Sequence, residues 1–175
     1  LKISTRLSAA FALLVTMMLA VAAAAMLQMG RMKASTEEIT RNWLPSVEQV
    51  NQMNAAVSDF RVALTQHVLS SDAKALSEIE KNLAAALAVL DKDRQVYVKL
   101  ISGDEERRVY EAFEADWKRY VSAQEQIVAS SRKYEKDAAQ ALLEGAARQA
   151  YTSANADLDK LIEINTAGAV AASEA

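Results

Sequence analysis

Residues 104–134 read DEERRVYEAFEADWKRYVSAQEQIVASSRKY and repeat large side chains at steps of three and four residues. The repeating positions are Tyr110, Phe113, Trp117, Tyr120, Gln124, Ile127, Ser131 and Tyr134. Side chains at this spacing share one face of an α-helix, so the segment predicts an amphipathic helix whose aromatic residues fill a core. Such a helix is about 45 Å long, and helices of this length with short connections run antiparallel to their neighbours.

Three further segments carry the same spacing. In residues 32–70 the stripe is Val47, Val50, Asn54, Val57, Arg61, Leu64 and Val68. In residues 73–101 it is Leu76, Ile79, Leu83, Leu87, Leu90, Arg94, Tyr97 and Ile101. In residues 138–173 it is Tyr151, Ala154, Leu158, Leu161, Asn165 and Gly168. The sequence therefore predicts an all-α protein with four helices in an up-down-up-down antiparallel four-helix bundle.

Short polar segments separate these helices. Ser70-Ser71-Asp72 forms the first turn, and Asp72 is expected to cap the helix that follows. In the second turn, Ser102-Gly103-Asp104, Gly103 can take the left-handed conformation that closes a helix, and Asp104 can start the next. The first turn and the junction of helices three and four are expected at the end of the bundle away from the membrane.

The composition excludes several classes of function. With no cysteine, disulfides, cysteine-bound zinc and covalently attached haem are excluded, and a net charge of -3 disfavours nucleic-acid binding. A di-iron bundle needs Glu-x-x-His motifs, but the single histidine, His67, has Leu64 three residues before it. We expect His67 to be a solvated or partly packed residue. The four scattered glycines form no phosphate loop, so no enzymatic site, metal or cofactor is predicted.

An uncharged run at residues 7–30 spans about 36 Å as a helix, enough to cross a bilayer core. It predicts a retained transmembrane helix, with residues 1–6 on one side of the membrane and residues 32–175 exported to the other. The competing interpretation is a cleaved signal peptide, but the run exceeds the usual apolar region of about 7 to 15 residues. The small residues before Ala175 predict that the sequence is part of a longer receptor.

Several elements resemble methyl-accepting chemotaxis proteins with a four-helix-bundle sensory domain. They are Lys-Ile-Ser-Thr-Arg-Leu at 2–7, the apolar span, Asn42-Trp43-Leu44-Pro45-Ser46-Val47, Arg61 and Leu161-Ile162-Glu163-Ile164-Asn165. The resemblance implies a homodimer in the bacterial inner membrane, with residues 1–6 in the cytoplasm and a sensory domain at 32–175 in the periplasm. It implies a ligand bound between helices one and four, at the end away from the membrane. It also implies a small movement of helix four that is passed to cytoplasmic signalling partners. Amino-acid receptors of this family are richer in arginine along helix one, where this chain offers Arg61.

Arg61 is the main candidate for ligand binding. It lies on the predicted core stripe with Asn54 one heptad earlier, and an unpaired guanidinium there would cost several kcal/mol. One interpretation is an internal salt bridge or water that fixes the register of the helices. Another is a carboxylate ligand held by the planar fork of the arginine. The opposite wall is expected from Tyr134, Tyr151, Thr152 and Asn155, although the tyrosines could equally be core residues.

The sequence supports three hypotheses of function. In the first, a chemotaxis receptor binds a small organic acid, such as a di- or tricarboxylate or an aromatic carboxylate, and signals by helix rearrangement. In the second, the same sensory domain controls a histidine kinase or a cyclic-dinucleotide enzyme. In the third, the bundle binds a protein partner and no small molecule, and Arg61 is paired inside the protein.

Overall fold

The computed structural model describes residues 3–174 of the chain, without the side chains of residues 4–6 and 9. Residues 1 and 2 of the predicted cytoplasmic segment and residue 175 of the predicted sensory domain lie outside the described residues. The elements are α1 (Ile3–Glu38), a π-helical turn (Ile39–Trp43), α2 (Leu44–Leu69), α3 (Ala73–Tyr97), α4 (Asp104–Arg132), α5 (Lys136–Glu144) and α6 (Ala146–Glu174). The all-α fold class is confirmed, with α2, α3, α4 and α6 forming a four-helix bundle.

Aromatic side chains form the centre of the bundle core. The ring of Phe60 in α2 lies 5.2 Å from that of Trp117 and 5.7 Å from that of Tyr120 in α4, both in edge-on geometry. Burying each such ring contributes about 2 to 3 kcal/mol relative to leaving it in water. The prediction that the stripe of residues 104–134 fills the core is confirmed for its aromatic residues up to Tyr120, whereas Tyr134 is 53% exposed.

The core face of α2 differs from the predicted stripe. Met53, Phe60 and His67 are fully buried, whereas Asn54 and Arg61 are half-buried at the flank of the helix. The prediction that Arg61 lies in the centre of the seam is therefore wrong. The buried positions also repeat every seven residues, and burying the apolar surface of Met53 and Phe60 is more favourable than desolvating an amide and a guanidinium.

A π-helical turn joins α1 to α2. The Leu44 N–H donates to the Ile39 carbonyl, one residue further back than in an α-helix. Pro45 follows in the first turn of α2 and has no N–H to donate to the Arg41 carbonyl, so the regular pattern cannot form here. The wider turn sets the direction of the Trp43 side chain, whose ring lies against α6.

The helix that contains α1 is long and apolar enough to cross a membrane. Its most apolar window of 18 residues has a mean hydropathy of 2.4, and none of that window is buried in the protein. Among residues 3–174, it is the one helix that is long and apolar enough to cross a membrane. Since α1 continues through the π-helical turn into α2, the apolar segment and the first helix of the bundle form one continuous helix. The far end of α6 returns to lie beside α1.

The turns confirm the predicted cap at Asp72 and correct the predictions for the end of α3 and for Gly103. Asp72 caps α3, because its Oδ1 accepts hydrogen bonds from the N–H groups of Lys74 at 2.7 Å and Ala75 at 3.0 Å. Helix α3 ends at Tyr97 and not at residue 101, since tighter turn bonds close it. Gly103 is extended, with φ of -129°, and is the N-cap of α4. The predicted left-handed glycine is wrong, because the turn has already been closed before residue 103.

The fourth predicted helix, 138–173, is divided into α5 and α6 at Gly145. A β-carbon at this position would lie 2.9 Å from the Ala141 carbonyl oxygen, so glycine permits the chain to bend there. The break separates the short helix α5, which runs along α2 from the level of Leu69 to that of Arg61, from the long helix α6. It also places Tyr151 in the second turn of α6, opposite α2.

Candidate functional site

The Arg61 guanidinium lies between α2, α4, α5 and α6. Its Nη1 donates to the Leu143 carbonyl at 3.3 Å, and its carbon Cζ stands 5.3 Å from the centre of the Tyr151 ring. Among the described residues, no carboxylate forms an ion pair with it. Burial raises the pKa of the nearby Tyr120 phenol, and the Arg61 charge opposes that rise. The site therefore combines a positive charge without an acidic partner and two aromatic rings.

Two predicted amides meet on one carboxylate beside this site. The Nδ2 of Asn54 donates to Asp159 Oδ1, and the Nδ2 of Asn155 donates to Asp159 Oδ2, both at 3.3 Å. Asp159 thus connects α2 to α6 one heptad along α2 from Arg61. Both amides keep their carbonyl oxygens as acceptors, but their N–H groups are already partly engaged.

The remaining two predicted residues lie elsewhere. Tyr134 is exposed in the turn between α4 and α5, where its φ of 60° is in the left-handed region that favours glycine. Thr152 faces outward, in a shallow groove of about 400 Å³ that also contains Arg148 and Ser153. Neither residue lies beside Arg61. Thr152 follows Tyr151 on α6, and adjacent positions on a helix point about 100° apart.

A second polar cluster, missed by the sequence analysis, lies at the end of the bundle away from α1. His67 is 0% exposed, so the expectation of a solvated or partly packed side chain is wrong. Its Nδ1 lies 2.9 Å from the Ser131 hydroxyl, and its Nε2 lies 3.1 Å from Glu80 Oε1. Arg132 holds Glu80 through two hydrogen bonds, at 2.7 and 2.6 Å. We call these four residues the distal cluster; they connect α2, α3 and α4.

A third cluster lies at the opposite end, near α1. Glu106 is 2% exposed and accepts hydrogen bonds from the Tyr97 hydroxyl at 2.7 Å and from the Ser102 N–H at 2.9 Å. Asn165 of α6 donates to the same hydroxyl at 3.0 Å. Burial, and next the Glu106 carboxylate, raise the pKa of the Tyr97 phenol above its usual range. We call Glu106, Tyr97 and Asn165 the proximal cluster; it ties α6 to the turn between α3 and α4.

Trp43 provides a second contact between α6 and the start of the bundle. Its Nε1 donates to Glu38 Oε1 at 3.0 Å, which fixes the indole ring. The ring occupies the space above Gly168 so closely that an added β-carbon there would lie 2.5 Å from two of its atoms. The Asn-Trp-Leu-Pro element therefore forms a packing contact with α6 at the point where α6 reaches α1.

The four-helix bundle and the apolar helix that continues into it are consistent with a sensory module. Comparison with known families agrees: residues 1–175 match the family described as "four helix bundle sensory module for signal transduction". The match covers the whole chain, and the protein belongs to this family.

A similar protein in Bacillus subtilis (strain 168) carries the name "Putative sensory transducer protein YvaQ". The two sequences are 22% identical over 143 residues, which is 82% of this chain and 25% of that protein. The chain thus spans about a quarter of the length of the curated relative that it matches. The resemblance to sensory receptors is supported by both comparisons.

Proposed function

We propose that the chain is the ligand-binding, membrane-anchored sensory part of a chemotaxis receptor. The apolar helix containing α1 would anchor it in the bacterial inner membrane, with the bundle in the periplasm. Family membership and the relative named as a sensory transducer support the receptor class, and the length and apolar composition of the helix support the anchor. Signalling partners would act on the cytoplasmic side.

The ligand of this proposed receptor is a small organic acid bound at Arg61. The observation that supports this ligand is the half-buried guanidinium of Arg61. It has five N–H donors and donates to one carbonyl oxygen, that of Leu143. A carboxylate could take the free edge of the guanidinium in two parallel hydrogen bonds. The rings of Tyr120 and Tyr151 beside it favour an acid that also carries an aromatic or planar apolar part.

Binding would act on the signal through α6. Arg61 lies on α2 and Tyr151 on α6, so a ligand between them would favour one relative position of the two helices. It can shift the equilibrium between two positions only by its difference in affinity for them. A displacement of α6 would be carried along the helix towards the membrane.

The test is a thermal-shift screen of the full chain in lipid nanodiscs against di- and tricarboxylates, aromatic carboxylates, amino acids and sugars. A ligand at about 100 times its Kd stabilises the folded state by about 2.7 kcal/mol. We expect an organic acid to raise the melting temperature of the parent chain and of Arg107→Ala, a control at an exposed arginine of α4. Arg61→Ala should lose the shift, and Arg61→Lys should lose most of it because lysine lacks the planar fork.

Two results would oppose the proposal. If no acid shifts the parent chain, the carboxylate ligand is wrong and the hypothesis of a protein-binding bundle gains support. If an acid stabilises Arg61→Ala as strongly as the parent, the ligand exists but binds elsewhere. A cell-based chemotaxis assay of the full-length receptor then separates a chemotactic output from a kinase or cyclic-dinucleotide output.

The proposed receptor is a homodimer that pairs through the groove between α2 and α3. The groove has a volume of about 700 Å³ and is lined by five alanines, two valines and six polar or charged residues, with Val62 and Val89 more than half exposed. Because the chain has no cysteine, Val62→Cys can be tested for disulfide cross-linking in membranes. Cross-linked dimers are expected with Val62→Cys and not with Lys118→Cys, an exposed control on α4. Equal cross-linking by both would oppose this interface.

A further inference from the structure

The hydrogen atoms of the distal cluster can be counted from its geometry. Ser131 has one hydroxyl hydrogen, and its Oγ lies 2.8 Å from the His67 backbone carbonyl, to which it donates. That carbonyl is in the last turn of α2, where the helix itself supplies no N–H partner. With its hydrogen used in this bond, the Ser131 oxygen can only accept from the His67 ring, so Nδ1 must carry a hydrogen.

The other ring nitrogen faces a carboxylate. Nε2 lies 3.1 Å from Glu80 Oε1. The hydrogen bonds from Arg132, followed by that from His67 and the charges of both, outweigh burial and lower the pKa of Glu80 to about 2. Glu80 is therefore ionised and can only accept, so Nε2 must also carry a hydrogen. Both ring nitrogens donate, which is the arrangement of the doubly protonated, positively charged imidazole.

We propose that the distal cluster is a proton-binding site, in which protonation of the buried His67 ring completes the hydrogen bonds that hold the ends of α2, α3 and α4 together. A neutral ring has one hydrogen fewer. It keeps Nε2–H towards Glu80, and Nδ1 then needs the Ser131 hydroxyl hydrogen. That hydrogen must leave the His67 carbonyl, so loss of the proton releases the last turn of α2.

The charges around the ring come from three helices. Glu80 of α3 carries the negative charge, and Arg132 of α4 offsets it from the solvent side. Lys136 of α5 lies beyond the end of α2, where its Nζ donates to the Leu69 carbonyl at 3.2 Å and the Ser71 hydroxyl at 2.6 Å. Within the described residues, α6 contributes no ionisable partner to His67. The nearest ionisable contact of the ring is thus Glu80, which favours the charged form.

This site is separate from the Arg61 site, and its ligand is the proton. Binding of the proton would favour a tight end of the bundle, and its loss a looser one. The proposal does not depend on which organic acid, if any, binds at Arg61.

The direct test uses the single histidine of the chain. The full chain, purified without a histidine tag and labelled with 15N in the imidazole ring, is placed in nanodiscs and its ring nitrogens are followed by NMR from about pH 5.5 to about pH 8.5. At the acid end we expect both nitrogens to show N–H signals protected from exchange with water. At the alkaline end we expect the Nε2–H tautomer, with Nδ1 accepting a hydrogen bond. A single neutral tautomer throughout would overturn the proposal.

A stability measurement tests the consequence. With the charged ring the cluster has one hydrogen bond more than with the neutral ring, so the stabilisation is present when the ring is protonated and is lost when the proton leaves. From about pH 5.5 to about pH 8.5, we expect the melting temperature of the parent chain to fall by about 2 to 4 °C more than that of His67→Gln. This is the shift expected when a chain of this size loses about one hydrogen bond.

Two variants of α3 make this measurement specific. Glu80→Gln removes the negative charge that faces Nε2 and favours the charged ring, so it should flatten the pH dependence between about pH 5.5 and pH 8.5. Glu78→Gln, an exposed position of the same helix, should retain the parent dependence. Equal pH dependence in the parent, Glu80→Gln and Glu78→Gln would overturn the proposal. If His67→Gln does not fold, the NMR titration of the parent chain decides the matter alone.

Discussion

Gly168→Ala tests the packing of Trp43 against α6 most directly. The new β-carbon would lie 2.5 Å from the Cη2 and Cζ3 atoms of the Trp43 ring, whereas carbon atoms in contact are about 3.5 to 4 Å apart. Either the ring or α6 must therefore move by about 1 Å. Overpacking of this kind costs about 1 to 3 kcal/mol, while alanine in place of glycine stabilises a helix interior by about 1 kcal/mol. We expect a net destabilisation of up to about 2 kcal/mol.

A double-mutant cycle with Trp43→Ala separates the two effects. Without the indole ring the added methyl group has room, so Gly168→Ala should raise the stability of Trp43→Ala by about 1 kcal/mol. The free energy of unfolding is measured by urea titration of the full chain in nanodiscs, followed by circular dichroism. The expected coupling between the two positions is about 1 to 3 kcal/mol.

The added methyl group needs its own control. Gly30→Ala places it at a helical glycine with no neighbouring atom within 4 Å, so it should not displace α6. The reasoning is refuted if Gly168→Ala stabilises the parent chain as much as it stabilises Trp43→Ala. That result would mean that the ring does not occupy the space above Gly168.

Three further predictions concern the ends of the helices. Glu106→Ala should lower the free energy of unfolding by about 2 to 5 kcal/mol, because the buried Tyr97 hydroxyl and the Ser102 N–H each lose their acceptor. Urea titration measures this loss, and a loss below about 1 kcal/mol would contradict the prediction. Asp72→Ala should cost about 1 kcal/mol as the loss of an N-cap, whereas Asp72→Asn should cost much less. The hydrogen bonds from Arg132 lower the pKa of Glu80 to about 2, so the ion pair stabilises the folded state above the unfolded pKa and this stabilisation is lost as pH falls from about 4.5 towards 2. Acid unfolding should therefore be less steep in Glu80→Gln than in the parent chain. An unchanged profile would count against the ion pair.

The sequence alone predicted the helices well because their apolar spacing is local. Ala-, Leu- and Glu-rich segments with a three-four repeat have few other ways to bury their apolar side chains, and Asp72 is the residue type that starts a helix. The rotation of α2 about its axis was not predicted, since the series through Val50, Val57 and Leu64 fits two alternative stripes. Comparing the apolar side-chain volume of the two stripes would have favoured the one that contains Met53 and Phe60.

The sites were harder to predict than the helices, because they depend on how each helix is rotated about its axis. Arg61 and Tyr151 were expected on facing helices, and the structure brings them together. Thr152 was chosen beside Tyr151 for its hydroxyl group, but a neighbouring residue on a helix faces another direction. His67 lies one heptad after Phe60 on the buried stripe, so its burial could have been read from the sequence. Its partner Glu80 could not, because pairing across helices depends on rotation and register together.

Contacts along α6 set a condition on any signal that passes through it. Tyr151 and Asn165 are 14 residues apart on the single helix α6, about 21 Å along a straight helix, so a displacement of α6 as one body would move both its Arg61 end and its end at the proximal cluster. There the bond from Asn165 to the Tyr97 hydroxyl and the contact of Trp43 with Gly168 both resist displacement. A ligand therefore has to offer a difference in affinity larger than the cost of straining these two contacts. Weakening either one should make the proposed receptor respond to less ligand, whereas weakening the Arg61 site should only lower its affinity.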